Sequence, residues 1–133
     1  MTEKKIIKVR DVMSKTVIKV DRTASVHEAV TLMREHHISS VIVERRDEGD
    51  EFGLVAVADV AREVLARDLS PERVNVYEIM SKPVLTLAAE MNVIYAVRML
   101  SRFQLARALV VDHDRNPLGV VTLRDMVLRT LED

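Results

Sequence analysis

The sequence predicts a mixed α/β (α+β) fold built from two tandem β-α-β-β-α units packed about a pseudo-two-fold axis. Three observations carry this. A four-residue lead-in, Val12-Met13-Ser14-Lys15, recurs as Ile79-Met80-Ser81-Lys82, a shift of 67 residues, about half the chain. A second segment, Gly53-Leu54-Val55-Ala56-Val57-Ala58-Asp59, recurs as Gly119-Val120-Val121-Thr122-Leu123-Arg124-Asp125, shifted by 66. Between these, Val17/Val84, Val26/Val93, Ala29/Ala96 and Val30/Val97 keep the same spacing, and a slip of a residue in a loop is what a duplicated fold tolerates. The division is 1–67 for the first repeat with its lead-in, 68–75 for a linker and 76–133 for the second repeat.

The elements follow from local pattern. Val9–Met13 reads as a short helical turn, and Thr16–Val20 alternates and is rich in β-branched residues, as a short strand is. Ser25-Val26-His27-Glu28 has the form of a capping box, so a helix runs from there to about Glu35, with Val26, Ala29, Val30, Leu32 and Met33 on its apolar face. Val41-Ile42-Val43 is a buried strand, Glu44 to Glu51 a solvated hairpin loop, and Gly53–Val57 the returning strand. A second helix spans roughly Asp59–Arg67, with Val60, Val64 and Leu65 inward. Ser70 and Pro71 punctuate the linker. The second repeat has its lead-in at Val76–Met80 and a strand at Val84–Leu87. A helix follows, capped by Asn92 and running to about Phe103. Strands at Leu109–Val111 and Leu118–Val121 and a last helix at Leu123–Leu131 complete it.

Composition removes whole classes of function. The 133 residues carry a formal net charge of -1, without the basic surplus of a nucleic-acid binder. There is no cysteine, hence no disulfide, thiolate metal site or cysteine nucleophile. No stretch approaches the ~20 apolar residues of a membrane span and the N-terminus is no signal peptide, so a soluble cytoplasmic protein is expected, with neither nucleic acid nor membrane as partner. With aromatics at 3%, the core must be aliphatic and Met. His27-Glu28 opens like a zinc-protease helix, but Thr31 stands where the second histidine is needed. The acidic run Glu44–Glu51 lacks calcium-loop spacing and contains Arg45 and Arg46. No nucleophile–base pair, metal cluster or phosphate-cradling glycine loop points to an enzyme.

The doubled lead-in, the β-α-β-β-α order and the doubled Gly-to-Asp segment together resemble a tandem pair of CBS domains, a Bateman module, from about Val9 to Leu131. The resemblance implies a regulatory, non-catalytic module. It requires no cofactor and binds an adenosine-containing ligand (AMP, ADP, ATP or S-adenosylmethionine) in clefts between the repeats. It also implies a homodimer acting on a regulated protein that the sequence does not name. A ligand-free structural or protein-interaction module is the alternative.

By this resemblance Thr122 and Asp125 supply the ribose contacts, and the chemistry is sound, since a carboxylate accepts two hydrogen bonds from neighbouring hydroxyls. The same Thr-x-x-Asp is also a helix cap that needs no ligand. In the first repeat Asp59 keeps the carboxylate, but Ala56 replaces the threonine, so a weaker, empty or altered site is expected there. The base slot falls on Pro83, Val84, Leu105 and Ala106 in the second repeat and on Val17, Ile38 and Ser39 in the first. Arg107 is placed to meet phosphates, an Arg fork being suited to them, and its counterpart lies near Ser39. His36 and His37 assist only if protonated. Met91, Ile94, Met99, Met126 and Leu128 exceed what one small core needs and are expected at a dimer contact.

Overall fold

The computed structural model describes residues 5–131. In chain order the elements are α1 (Val9–Val12), β1 (Lys19–Val20), α2 (Val26–His36), β2 (Ser40–Val43), β3 (Gly53–Ala56), α3 (Val57–Val60), β4 (Thr86–Ala88), α4 (Val93–Arg102), β5 (Arg107–Val111), β6 (Pro117–Thr122) and α5 (Leu123–Thr130). A π-helical turn over Ala61–Leu65 continues α3, and a 3-10 turn over Val76–Glu78 forms the second lead-in. The repeated β-α-β-β-α order is present. Among the described residues no helix is long and apolar enough to cross a membrane.

The strands form two three-stranded sheets, β1-β2-β3 and β4-β5-β6. In each, the first pair is parallel and the second antiparallel. The parallel pair requires a crossover connection, which α2 and α4 provide. Both helices start where the sequence places them. Ser25 Oγ accepts from Glu28 N–H at 3.0 Å, and Asn92 Oδ1 accepts from Ile94 N–H at 2.9 Å. Both also end as expected of αL caps: His37 and Gln104, at equivalent positions, have φ of 55°.

The chain folds as two compact units that cut across the order of the repeats. One spans Ile18–Val84; the other joins the chain up to Val17 with the chain from Leu85 onward. The lead-in of each repeat therefore belongs with the other repeat's sheet. Val9 and Val12 are buried with Leu87, Val93, Leu100, Val110, Val121 and Met126. Val74 and Val76 are buried with Val20, Val26, Met33, Val41, Val55 and Val64.

Backbone pairing shows how closely the arrangement is repeated. Val9 N–H donates to Met91 O, Arg10 N–H to Ala89 O and Val93 N–H to Ile7 O. At the equivalent positions Val76 N–H donates to Ala24 O, Tyr77 N–H to Arg22 O and Val26 N–H to Val74 O. Each lead-in thus ties down the start of one crossover helix. It then reaches the last strand of that sheet, where Ser14 exchanges two hydrogen bonds with Val120 and Ser81 two with Leu54.

Those crossings explain the paired glycines. A Cβ on Gly119 would lie well inside contact distance of the Ser14 carbonyl oxygen; one on Gly53 would sit 2.5 Å from Met80 Sδ and 3.4 Å from Ser81 O. Neither glycine has a positive φ. Both are needed for close approach of another backbone rather than for a turn.

Several expected bounds shift. The strand expected at Thr16–Val20 is only Lys19–Val20, and that at Val84–Leu87 is Thr86–Ala88; the residues before each form the passage between units. Val57 opens a helix instead of ending a strand. Leu65, expected inward, is exposed because the π-helical turn rotates it off the buried face marked by Val60 and Val64. Met126, expected at a dimer contact, is fully buried in the core.

Gly119→Ala should destabilise the fold by roughly 1–3 kcal/mol, the range for overpacking. Gly53→Ala should cost less, since its closest clash is with a flexible Met side chain. Urea unfolding of both variants checks the order; equal or negligible losses would contradict the role given to the crossings. Val12→Ala should lower stability as a core deletion does, by about 1–3 kcal/mol, although Val12 lies in what reads as a short lead-in.

Candidate functional site

The end of β6 and the start of β5 lie side by side, and this brings four of the expected site residues together. Thr122 pairs with Arg107 in the strand register, and Leu123 N–H donates to Ala106 O at 2.8 Å. Thr122 is the N-cap of α5, its Oγ1 accepting from Asp125 N–H at 3.0 Å. Leu105 follows the αL residue Gln104, its N–H bonded to Leu100 O, and is partly exposed. Arg107 is the first residue of β5 rather than lying before it, and is half-buried. Pro83 and Val84 end the other unit, one residue before Leu85, whose carbonyl accepts from Leu109 N–H.

The first repeat builds the same corner from other side chains. Ser40 pairs with Ala56, and Val57 N–H donates to Ser39 O at 3.0 Å. Register therefore makes buried Ser40 the counterpart of Arg107, one residue on from Ser39. Ile38 donates its N–H to Met33 O and lines an apolar cavity of about 320 Å³ with Val30, Met33, Val57, Val60 and Leu65. His37 caps α2 and is exposed, as is His36. Val17 belongs to the unit that contains β4–β6.

The two carboxylates differ in what they already hold. Asp59 makes the carboxylate half of a capping box: its Oδ2 accepts from Ala56 N–H at 2.8 Å, while Ala56 has no hydroxyl to accept the Asp59 N–H. Its Oδ1 accepts from Arg62 at 3.0 Å, and its side chain is only 14% exposed. The Arg62 pKa is raised, first by Glu63 and then by Asp59. In the second repeat the hydroxyl half is made instead, Thr122 Oγ1 accepting the Asp125 N–H, and among the described residues the Asp125 carboxylate makes no capping bond. Its carboxylate is 35% exposed, and among the described residues its side-chain contact is Arg124, 3.4 Å away and itself mostly exposed. One carboxylate is committed to the protein; the other has acceptor capacity to spare. The missing hydroxyl at Ala56 was readable in the sequence; the bond that Asp59 makes to the Ala56 N–H was not.

Beside Pro83 and Val84 stands a pair that sequence reasoning did not single out. Lys82 Nζ donates to Asp50 Oδ2 at 2.8 Å, tying the hairpin after β2 to the second lead-in, with both side chains mostly buried. The Lys82 ammonium, followed by the backbone N–H groups of Arg46 and Glu51, holds the Asp50 carboxyl well below the usual carboxylate range. Among the described residues no three His, Asp or Glu side chains group as metal ligands do.

Comparison with known proteins fits this duplicated geometry. A family profile described as the CBS domain matches residues 9–66 and again 76–132. The chain belongs to the CBS-domain family. It is 32% identical to the uncharacterized protein MK0525 of Methanopyrus kandleri over 91% of this chain and 61% of that one. The hexameric CBS-CP12 protein from bloom-forming cyanobacteria superposes with a TM-score of 0.90 at 30% identity, over 95% of this chain and 72% of that one. The CBS domain pair of protein MJ0100, solved in complex with 5'-methylthioadenosine and S-adenosyl-L-methionine, superposes with a TM-score of 0.79 at 26% identity, over 94% and 96%. An L-aspartate semialdehyde sulfurtransferase of Methanosarcina acetivorans is 27% identical over 86% of this CBS pair, which spans 22% of that protein. The CBS pair thus spans between about a fifth and three fifths of the curated relatives named here.

The Asp50–Lys82 pair has a pH signature. A carboxyl whose folded pKa is depressed stabilises the fold above its unfolded pKa, near 3.9, and loses that contribution as pH falls. The melting temperature of the wild type should therefore exceed that of Asp50→Asn at pH 6, with the gap shrinking from about pH 5 to pH 2. A gap that stays constant over that range would show that the pair does not stabilise the fold.

Proposed function

We propose that this CBS pair is a regulatory, non-catalytic module that binds an adenosine-containing ligand, with its working polar contacts in the second repeat. The observation that carries the reading is the contrast between the two carboxylates. The Asp125 carboxylate is partly exposed and, among the described residues, makes no capping bond, so it has lone pairs to offer two neighbouring ribose hydroxyls. Asp59 already serves Ala56 N–H and Arg62, which favours an empty or altered first site. Arg107, across the strand from Thr122, is the residue nominated for a phosphate. The ligand-bound CBS pair of protein MJ0100 supports the ligand class: AMP, ADP, ATP, S-adenosylmethionine or its thioether relative. No other cofactor is required.

A regulatory ligand must bind two states of the module or its assembly with different affinity. The proposed assembly is a homodimer acting on a regulated protein, in the cytoplasm. Exposed Ile94, Tyr95, Val127 and Leu128 offer apolar contact surface for it, whereas Met126 does not. The ligand-free interaction module remains the second reading, favoured by the internally satisfied Asp59.

Thermal unfolding with each nucleotide, S-adenosylmethionine and 5'-methylthioadenosine, alongside light scattering, tests the proposal. A ligand at 100 times its dissociation constant stabilises the native state by about 2.7 kcal/mol. For a chain of this size the midpoint should rise by roughly 3–6 °C. Asp125→Ala should abolish the rise without disturbing the cap, because the capping bond uses the Asp125 backbone N–H and the Thr122 hydroxyl. Asp59→Ala should lower the ligand-free midpoint by removing a cap, yet keep the rise. A rise lost only in Asp59→Ala would move the working site to the first repeat. No rise with any ligand and an intact oligomer would favour the interaction module.

A further inference from the structure

We propose a second binding site, for a small phosphate-bearing anion, at the carboxyl end of the parallel strands β1 and β2. A cavity of about 430 Å³ opens there, and Lys19, Arg22, Arg45 and Arg46 line it together with Asp21 and Glu44. That volume suits a small ligand. The carboxyl ends of parallel strands are also where α/β sheets commonly receive ligands.

The four cations have no carboxylate partners within 4 Å among the described residues. Elsewhere on the chain Lys8, Arg10, Arg62, Arg67 and Lys82 each face one. Four cations against two carboxylates leave the lining with a positive surplus, which a bound anion would offset. The Asp21 carboxylate is engaged locally, its Oδ1 accepting from Thr23 N–H at 3.1 Å and from the Thr23 hydroxyl at 3.2 Å.

Three of the four cations lie over aromatic faces. Arg45 lies 4.9 Å and Lys19 5.6 Å from the centre of the buried Phe52 ring. Arg22 lies 5.2 Å from the Tyr77 ring, and its Nε is enclosed without a hydrogen-bond partner. Stacking fixes a guanidinium plane and leaves its terminal N–H groups for an oxyanion.

The fold itself does not call for these charges. Strand register equates Lys19 with Thr86 and Val43 with Val110. The second repeat accordingly has Ala89 where Arg22 stands, Asp112 for Arg45 and His113 for Arg46. The same corner, built twice, is cationic once. Glu44, also in the lining, can accept from hydroxyl groups that a phosphate-bearing ligand carries.

Isothermal titration of the whole chain with inorganic pyrophosphate, at constant ionic strength and neutral pH, tests the site. Binding with a dissociation constant at or below about 1 mM is expected. It should weaken at least tenfold in the double variant Arg45→Gln/Arg46→Gln, and measurably in the exposed single variant Arg46→Gln, each verified as folded by its melting curve. Asp125→Asn should leave it unchanged, which separates this site from the proposed nucleotide site. The proposal is overturned by the absence of binding up to about 10 mM. Unchanged affinity in the double variant, loss in Asp125→Asn, or equal binding of sulfate would overturn it as well.

Discussion

In both sheets the last strand meets a crossing segment at a glycine, and the rest of the fold depends on that contact. Ser14 on Val120 and Ser81 on Leu54 each exchange a pair of backbone hydrogen bonds, made possible because Gly119 and Gly53 present no Cβ. A crossing segment held there carries its preceding residues along the sheet's helices, so that Val9 and Val12, or Val74 and Val76, close the core. The buried valines supply the hydrophobic stabilisation, at roughly 1.5–3 kcal/mol for a fully buried side chain of that kind.

The scaffold is repeated closely, and the side chains placed on it are not. The capping position before the last helix is Thr122 in one repeat and Ala56 in the other, and the carboxylate three residues on is partly exposed in the first case and bonded to the N-cap backbone in the second. At the opposite end of the strands, Arg22, Arg45 and Arg46 stand where Ala89, Asp112 and His113 stand in the second repeat. The two differences run in opposite directions. The second repeat keeps the free carboxylate, and the first carries the gathered cations.

Much of this was legible in the sequence because it rests on local chemistry. Ser25, Asn92 and Thr122 announce three helix starts through side-chain oxygens that accept backbone N–H groups, and each does so in the structure. The apolar runs Val41-Ile42-Val43 and Leu109-Val110-Val111 mark the central strands. What could not be read is what depends on distant pairing. Val9 looks like part of a charged leader until Leu87 and Met126 are found around it. The inward position expected of Leu65 assumed a regular α-helix, and the π-helical turn removes it. Asp50 and Lys82 lie in different repeats of the sequence, so no spacing rule joins them. In the candidate site, the Thr122–Asp125 cap was legible as a motif, while the spare acceptor capacity of Asp125 emerged only from its exposure and partners.

The exchange of lead-ins also sets an order of events during synthesis. The unit from Ile18 to Val84 is one continuous stretch, and its closing bridge joins Leu54 to Ser81. Every contact it needs is available once that stretch has left the ribosome. The other unit joins Ser14 to Val120, so its lead-in must wait for a strand made far later in the chain. Closing a loop of that length costs only modestly more entropy than closing a short one, but contacts between distant residues form late and slowly. Until then Val9 and Val12 lack the core that buries them, and of the two units the one bearing the spare carboxylate is the later to be assembled.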